Sequence, residues 1–93
     1  MTVEKVGPLS RVIASLARER IACLRVRDVE VARTAGLSQA TMSRILRAER
    51  VMTTEEFDLI CSALGLDSVE VLKTAAERAP ARRLPEPISS PLG

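Results

Sequence analysis

The sequence predicts an all-α domain of five short helices, followed by a disordered, proline-rich tail. Three observations carry that expectation. Apolar residues recur at helical spacing, and no segment alternates apolar and polar residues for long enough to make a convincing strand. Residues suited to helix ends bound these stretches: Pro8, Asp28, Ser38, Thr53 and Asp67 or Ser68 at the front, Gly36, Gly65 and Pro80 behind. The chain has 93 residues, 46% of them hydrophobic, which suits one small core and is too short for two domains.

The first helix is expected over roughly 8–24, with Pro8 in its first turn. Leu9, Val12, Ile13, Leu16, Ala17, Ile21 and Leu24 make its apolar face, with arginines on the other side. The second is expected over Val29–Ala35, capped by Asp28, with Val29 and Ala32 inward and Gly36 in the left-handed position behind it. Leu37 is an apolar plug. Ser38 caps a third helix, Gln39–Arg47, in which Met42, Ile45 and Leu46 share one side while Gln39, Ala40, Ser43, Arg44 and Arg47 share the other. Thr53 and Glu56 have the spacing of a capping box and open a fourth helix with Phe57, Ile60, Cys61 and Leu64 on one face. The fifth places Val69, Leu72 and Ala76 along one side, with Val71 and Ala75 beside it. The domain boundaries are therefore an arm over 1–7, a helical domain over 8–79 and a flexible tail over 80–93, which holds four of the five prolines.

Composition excludes much chemistry. Histidine is absent, which removes the commonest general base and the commonest zinc ligand. No metal or other cofactor, no catalytic residues and no small-molecule ligand are expected, and the chain reads as a non-enzyme. Cys23 and Cys61 fall at apolar positions and read as buried free thiols, which fits a cytoplasmic setting. No run is long and apolar enough for a membrane span, and no signal peptide is visible. One aromatic residue, Phe57, is too few for a platform that stacks single-stranded bases. The acidic cluster Glu55, Glu56, Asp58 suits a helix N-terminus better than a metal.

The net charge of +2 conceals an asymmetry. Residues 1–50 carry ten basic against five acidic residues, whereas residues 51–77 carry one lysine against six acids. Twelve of the fourteen basic residues are arginine, suited to bidentate contacts with phosphate and guanine. One basic face toward a polyanion is implied.

The stretch Asp28–Arg47 has the spacing of a helix-turn-helix: Ala32 where two short helices cross closely, Gly36 in the turn, Leu37, Met42 and Ile45 in the wedge, and Ser38 capping the next helix. From Leu24-Arg25-Val26-Arg27-Asp28 through Ala32-Arg33-Thr34-Ala35-Gly36-Leu37-Ser38-Gln39-Ala40-Thr41-Met42-Ser43-Arg44-Ile45 to Ala63-Leu64-Gly65-Leu66, the chain resembles the Cro/repressor (Xre-type, lambda-repressor-like) DNA-binding family. The resemblance covers about residues 9–79. It implies a transcriptional regulator, most simply a repressor of phage or small bacterial type. Such a protein reads double-stranded operator DNA in the major groove, in a bacterial cytoplasm or a phage-infected host cell. It further implies base reading by Gln39, Ala40, Ser43 and Arg44, and phosphate contacts from Arg27, Arg33, Ser38, Thr41, Arg47 and Arg50. A homodimer through Val69, Val71, Leu72, Ala75 and Ala76 is also implied. Arg11, Arg18 and Arg20 read as solvated surface, and the Arg82-Arg83 pair as a solvating pair in the tail. The alternative class is a protein-interaction module on the same fold, antitoxin-like or adaptor. The chain has no room for a sizeable ligand-sensing domain, so induction is expected to come from elsewhere.

Three departures from the family pattern stand out. Asp28 replaces the glutamine common at the start of the second helix, and it would repel a phosphate. Ile21 and Leu46 stand where an internal Arg–Glu pair is usual, and they are expected to touch, because an apolar pair avoids the desolvation cost of the ions. Ala48 replaces the glycine usual after the recognition helix, which questions the turn there.

Overall fold

The computed structural model describes residues 6–80 and 82–89. These form five helices and no strand: α1 (Pro8–Leu24), α2 (Asp28–Ala35), α3 (Gln39–Leu46), α4 (Thr54–Ala63) and α5 (Ser68–Arg78). Each begins where the local chemistry supplies a start. Pro8 occupies the first turn of α1, whose cap position, Gly7, offers no side-chain bond. The Ser38 hydroxyl accepts from the backbone N–H of Thr41, and the Asp67 carboxylate from those of Val69 and Glu70. Thr53 and Glu56 make the full capping box at α4.

Helix α1 packs against α5 and α3, α2 against α3 and α4, and α4 against α5. Two buried clusters result. The larger joins Ala17 and Ile21 of α1 to Val31, Ala32 and Ala35 of α2, Met42, Ile45 and Leu46 of α3, and Ile60 and Leu64. The smaller joins Ile13, Cys61, Val71 and Ala75. Met52 and Leu66 pack against both, so the helical body is continuous. Ile21 and Leu46 belong to the same cluster, 8% and 3% exposed, which is the apolar replacement expected for an internal ion pair.

Several expectations are corrected. Asp28 is the first residue of α2 and not its cap. Arg27 holds the cap position with no side-chain bond, and Asp28 contributes only a negative charge in the first turn. Val31, not Val29, turns into the core, since Val29 is half-exposed. Helix α3 ends one residue early, with Arg47 as its C-cap. Cys23 is exposed and only Cys61 is buried. In α5, Val71 and Ala75 are buried in the core, whereas Val69 and Leu72 remain exposed. Most of the predicted arm (1–5), and residues 81 and 90–93 of the tail, lie outside the described residues. Residues 83–89 are exposed and carry no helix or strand.

Four arginines read from the sequence as solvated have structural partners: Arg11 Nε donates to the Val6 carbonyl (3.2 Å), the Arg82 guanidinium bonds the carbonyls of Ala76 (2.9 Å) and Ala79 (2.7 Å), and Arg18 and Arg20 reach the ends of other helices. The Arg18 guanidinium donates to the Leu46 carbonyl at the end of α3. Arg20 Nε donates to the Leu64 carbonyl at the end of α4, 3.0 Å away. The last carbonyls of a helix have no partner within it and carry partial negative charge, so an arginine from a crossing helix satisfies and neutralises them together. The signal in the sequence is slight: Arg18 and Arg20 lie within three residues of the buried Ile21.

Candidate nucleic-acid interface

Between α2 and α3 the chain turns in three residues. Gly36 takes φ 75°, and the backbone N–H groups of Gly36 and Leu37 donate to the carbonyls of Arg33 (3.2 Å) and Ala32 (2.9 Å). This closes α2 with a left-handed residue that glycine adopts without steric cost. Ala32 is 2% exposed and Met42 fully buried, so the two short helices cross over small and flexible side chains and meet without a gap. The Ser38 hydroxyl accepts from the Thr41 N–H (3.1 Å) and donates to the Thr41 hydroxyl (2.9 Å), which ties both side chains to the helix N-terminus.

Burial divides α3 cleanly. Met42, Ile45 and Leu46 face the core, and Gln39, Ala40, Arg44 and Arg47 are exposed. By helical periodicity Ala40, Arg44 and Arg47 point most directly away from the body, with Gln39 and Ser43 on one flank. Ser43 is half-buried and lines a shallow depression with Arg18, Asp28 and Arg47, where α1, α2 and α3 meet. Thr41, also half-buried, lies on the opposite flank.

The arginines differ in how freely they can meet a ligand. Arg33 and Arg44 are exposed and make no ion pair among the described residues. Arg27 has a loose partner in Glu30 at 3.9 Å, and Arg47 one in Glu49 at 3.2 Å, with all four side chains at least half exposed. Such pairs contribute little and exchange readily for a better anion. Arg50 is different. Its guanidinium makes two parallel hydrogen bonds to Glu56, of 2.7 and 2.9 Å, with the two side chains 25% and 14% exposed. The same carboxylate accepts from the Thr53 N–H at 2.8 Å. The Arg50 bonds hold the Glu56 carboxyl below its ordinary value, outweighing the opposing effect of burial, and the bond from Thr53 adds to the lowering. Arg50, expected from the family resemblance to hold phosphate, is thus a brace between the turn after α3 and the start of α4.

Charge is mixed on both sides but differs in balance: exposed Arg27, Arg33, Arg44 and Arg47 stand on or beside α2 and α3 with exposed Asp28, Glu30 and Glu49, while exposed Glu55, Asp58, Glu70 and Glu77 stand on α4 and α5 with exposed Lys73 and Arg78. Among the described residues no cluster of potential metal ligands occurs, and no helix is long and apolar enough to cross a membrane. Cys61 is inert at neutral pH, since burial, with Asp58 and Asp67 nearby, pushes its thiol up to about 11.

Comparison with known proteins agrees with this geometry. The sequence model of a family described as a helix-turn-helix domain matches residues 9–73. The crystal structure of the clp gene regulator ClgR from C. glutamicum superposes with a TM-score of 0.68 at 25% identity, covering 76% of this chain and 92% of that one. No curated protein matches the chain.

Proposed function

The chain belongs to the Xre-like helix-turn-helix DNA-binding family, and from that premise we propose that it is a sequence-specific transcriptional regulator that binds double-stranded DNA through α3. The observation that carries the reading is the exposed stripe Gln39, Ala40, Arg44 and Arg47 on a short helix whose other side is buried and whose N-terminus is free to face a groove. In this reading Arg44 pairs with guanine, Gln39 with adenine, Ala40 meets a thymine methyl, and Ser43 reads from the flank of the groove. Arg27, Arg33, Ser38, Thr41 and Arg47 hold phosphates. Arg50 joins them with the N–H groups that its two bonds to Glu56 leave over.

The mode of action is occupancy: the bound protein blocks a promoter, as a repressor does. Two copies reading half-sites about one helical turn (~34 Å) apart supply site length and symmetry. Of the five residues that the resemblance assigns to a dimer surface, Val69, Leu72 and Ala76 retain exposed area to offer a second copy, and Val71 and Ala75 do not.

Selecting bound sequences from a random duplex pool tests this directly. A symmetric, enriched site is expected, with affinity that falls steeply as salt rises. On that site Arg44→Ala should cost about 1–3 kcal/mol and relax the preference at one base pair. A pool that never enriches would favour the protein-interaction reading of the same fold. Unchanged binding by the variant would move the reading residues elsewhere on α3.

A further inference from the structure

The start of α1 and the end of α5 meet at one end of the helical body. A cleft of about 800 Å³ opens there, with Pro8, Val12, Ala79 and Pro80 as its apolar wall. Its charged lining is Arg78, Arg82 and Arg83, and no acid lines it among the described residues. The first turn of α1 holds no acidic residue either. Arg82 is the fixed member. It is half-buried, and its Nη1 donates to the carbonyls of Ala76 and Ala79. Those carbonyls carry the negative end of the α5 dipole, so Arg82 covers the groups that would repel an anion here. The donors on its Nε and Nη2 stay available. Arg83 is exposed and makes no ion pair among the described residues.

The acids nearby do not cancel this charge. Arg78 is shared with Glu19 at 3.3 Å, both side chains more than half exposed, and such a pair exchanges readily for a better anion. Three arginines less Glu19 leave two uncompensated charges in the cleft. Glu77 lies about 100° round α5 from Arg78. Glu86 follows three residues after Arg83 and does not line the cleft. Arg11 lines an adjoining depression that shares Pro8, and its bond to the Val6 carbonyl uses only Nε. We propose that this cleft binds phosphate groups, two at a time, at a site separate from α3. Arginine forks match phosphate oxygens in bidentate geometry, and the volume falls in the range of small-ligand sites. Neighbouring phosphates come from two sources, a free diphosphate compound or the backbone of a bound duplex, and the same arginines serve either. The inference does not depend on base reading by α3.

Inorganic pyrophosphate is the probe, titrated into the full chain at low salt while backbone amides are followed by NMR. Shifts over residues 9–12 and 78–83 should saturate together, at lower concentration than any shift over 39–47. Arg83→Glu breaks no ion pair among the described residues and should weaken that saturation roughly tenfold. Arg33→Glu, which reverses an equally exposed and unpaired arginine on α2, should leave it unchanged. No saturable shift at these residues, shifts spread evenly over every arginine-bearing surface, or an equal loss from Arg33→Glu would overturn the site. A short random duplex, added to the pyrophosphate complex, separates the two sources. Displacement of pyrophosphate from these residues would assign the cleft to the DNA backbone, and binding of both together would assign it to a free phosphorylated ligand. A chain that takes pyrophosphate but no duplex would keep this site and overturn the reading by α3.

Discussion

The two ends of α3 are turned by the same backbone device but held by different means. At the entry, Gly36 takes a left-handed φ of 75°, and at the exit Ala48 takes one of 57°. The entry is local: a glycine, the Leu37 bond back to Ala32, and the Ser38 cap on Thr41, all within ten residues. The exit has no glycine. Its backbone bonds run from Ala48 to Ile45 and from Glu49 to Arg44, and the ends it joins are held from a distance by Arg18 on the Leu46 carbonyl and by Arg50 on Glu56. A side chain with a Cβ costs about 1–2 kcal/mol in this conformation, and the exit tolerates it because tertiary contacts on both sides over-determine the turn. Local chemistry suffices before the reading helix, and the rest of the fold is needed after it.

The largest effect should come from giving the entry the residue of the exit. A Cβ added at Gly36 meets nothing within 4 Å, so Gly36→Ala isolates backbone strain from steric clash. A loss of about 1–2 kcal/mol is expected in chemical denaturation. A neutral result would mean that the entry, too, is held from outside.

Next, Glu56→Gln keeps an oxygen for the Thr53 N–H and removes the charge that Arg50 faces. Stability at neutral pH should fall by about 1 kcal/mol, the scale of a well-aligned, partly buried pair. The sign of the pH effect is set by the lowered carboxyl. Its contribution is complete above the ordinary value of 4.5 and is lost as pH falls through the lower value in the fold. Urea midpoints followed from neutral to acid pH should therefore decline less in the variant. Equal slopes would show that the brace at the exit does not depend on charge.

The smallest effect has the opposite sign. Ala48→Gly should stabilise by about 0.5–1 kcal/mol, the relief of strain less the extra freedom glycine has when unfolded. A destabilised variant would show that the exit is not strained. Thiol labelling offers a further check on burial: exposed Cys23 should react rapidly in the native state, and buried Cys61, its thiol pushed up to about 11, only as the fold opens.

Much of this molecule is legible without its structure because helices of this length announce their ends. Pro8, Ser38, the Thr53–Glu56 box, Asp67 and the left-handed glycines act within four residues of themselves, and the helix boundaries follow to within a residue. The wedge of Ala32, Met42 and Ile45 is legible for the same reason, since the 3.6-residue period sorts one side of a helix from the other. Periodicity does not say how wide the covered stripe is. Both faces of α5 are apolar in sequence, and only the packing of α1 shows that Val71 and Ala75 lie inside while Val69 and Leu72 remain outside. Cys23 errs in the same direction, at an apolar position that no neighbour covers.

By itself, then, the sequence determined the five helices and the helix-turn-helix spacing, which depend on residues near one another in the chain, and the charge asymmetry, which needs only a count along it. The tertiary structure decided which arginines are free. Arg18, Arg20, Arg44 and Arg50 look alike in sequence, as long cations on or beside short helices. Arg18 and Arg20 end on carbonyls 28 and 44 residues away, Arg50 ends on Glu56, and Arg44 points into solvent. A guanidinium several ångströms from its own backbone takes its partner from whatever the fold brings near, and that is set by how the helices cross.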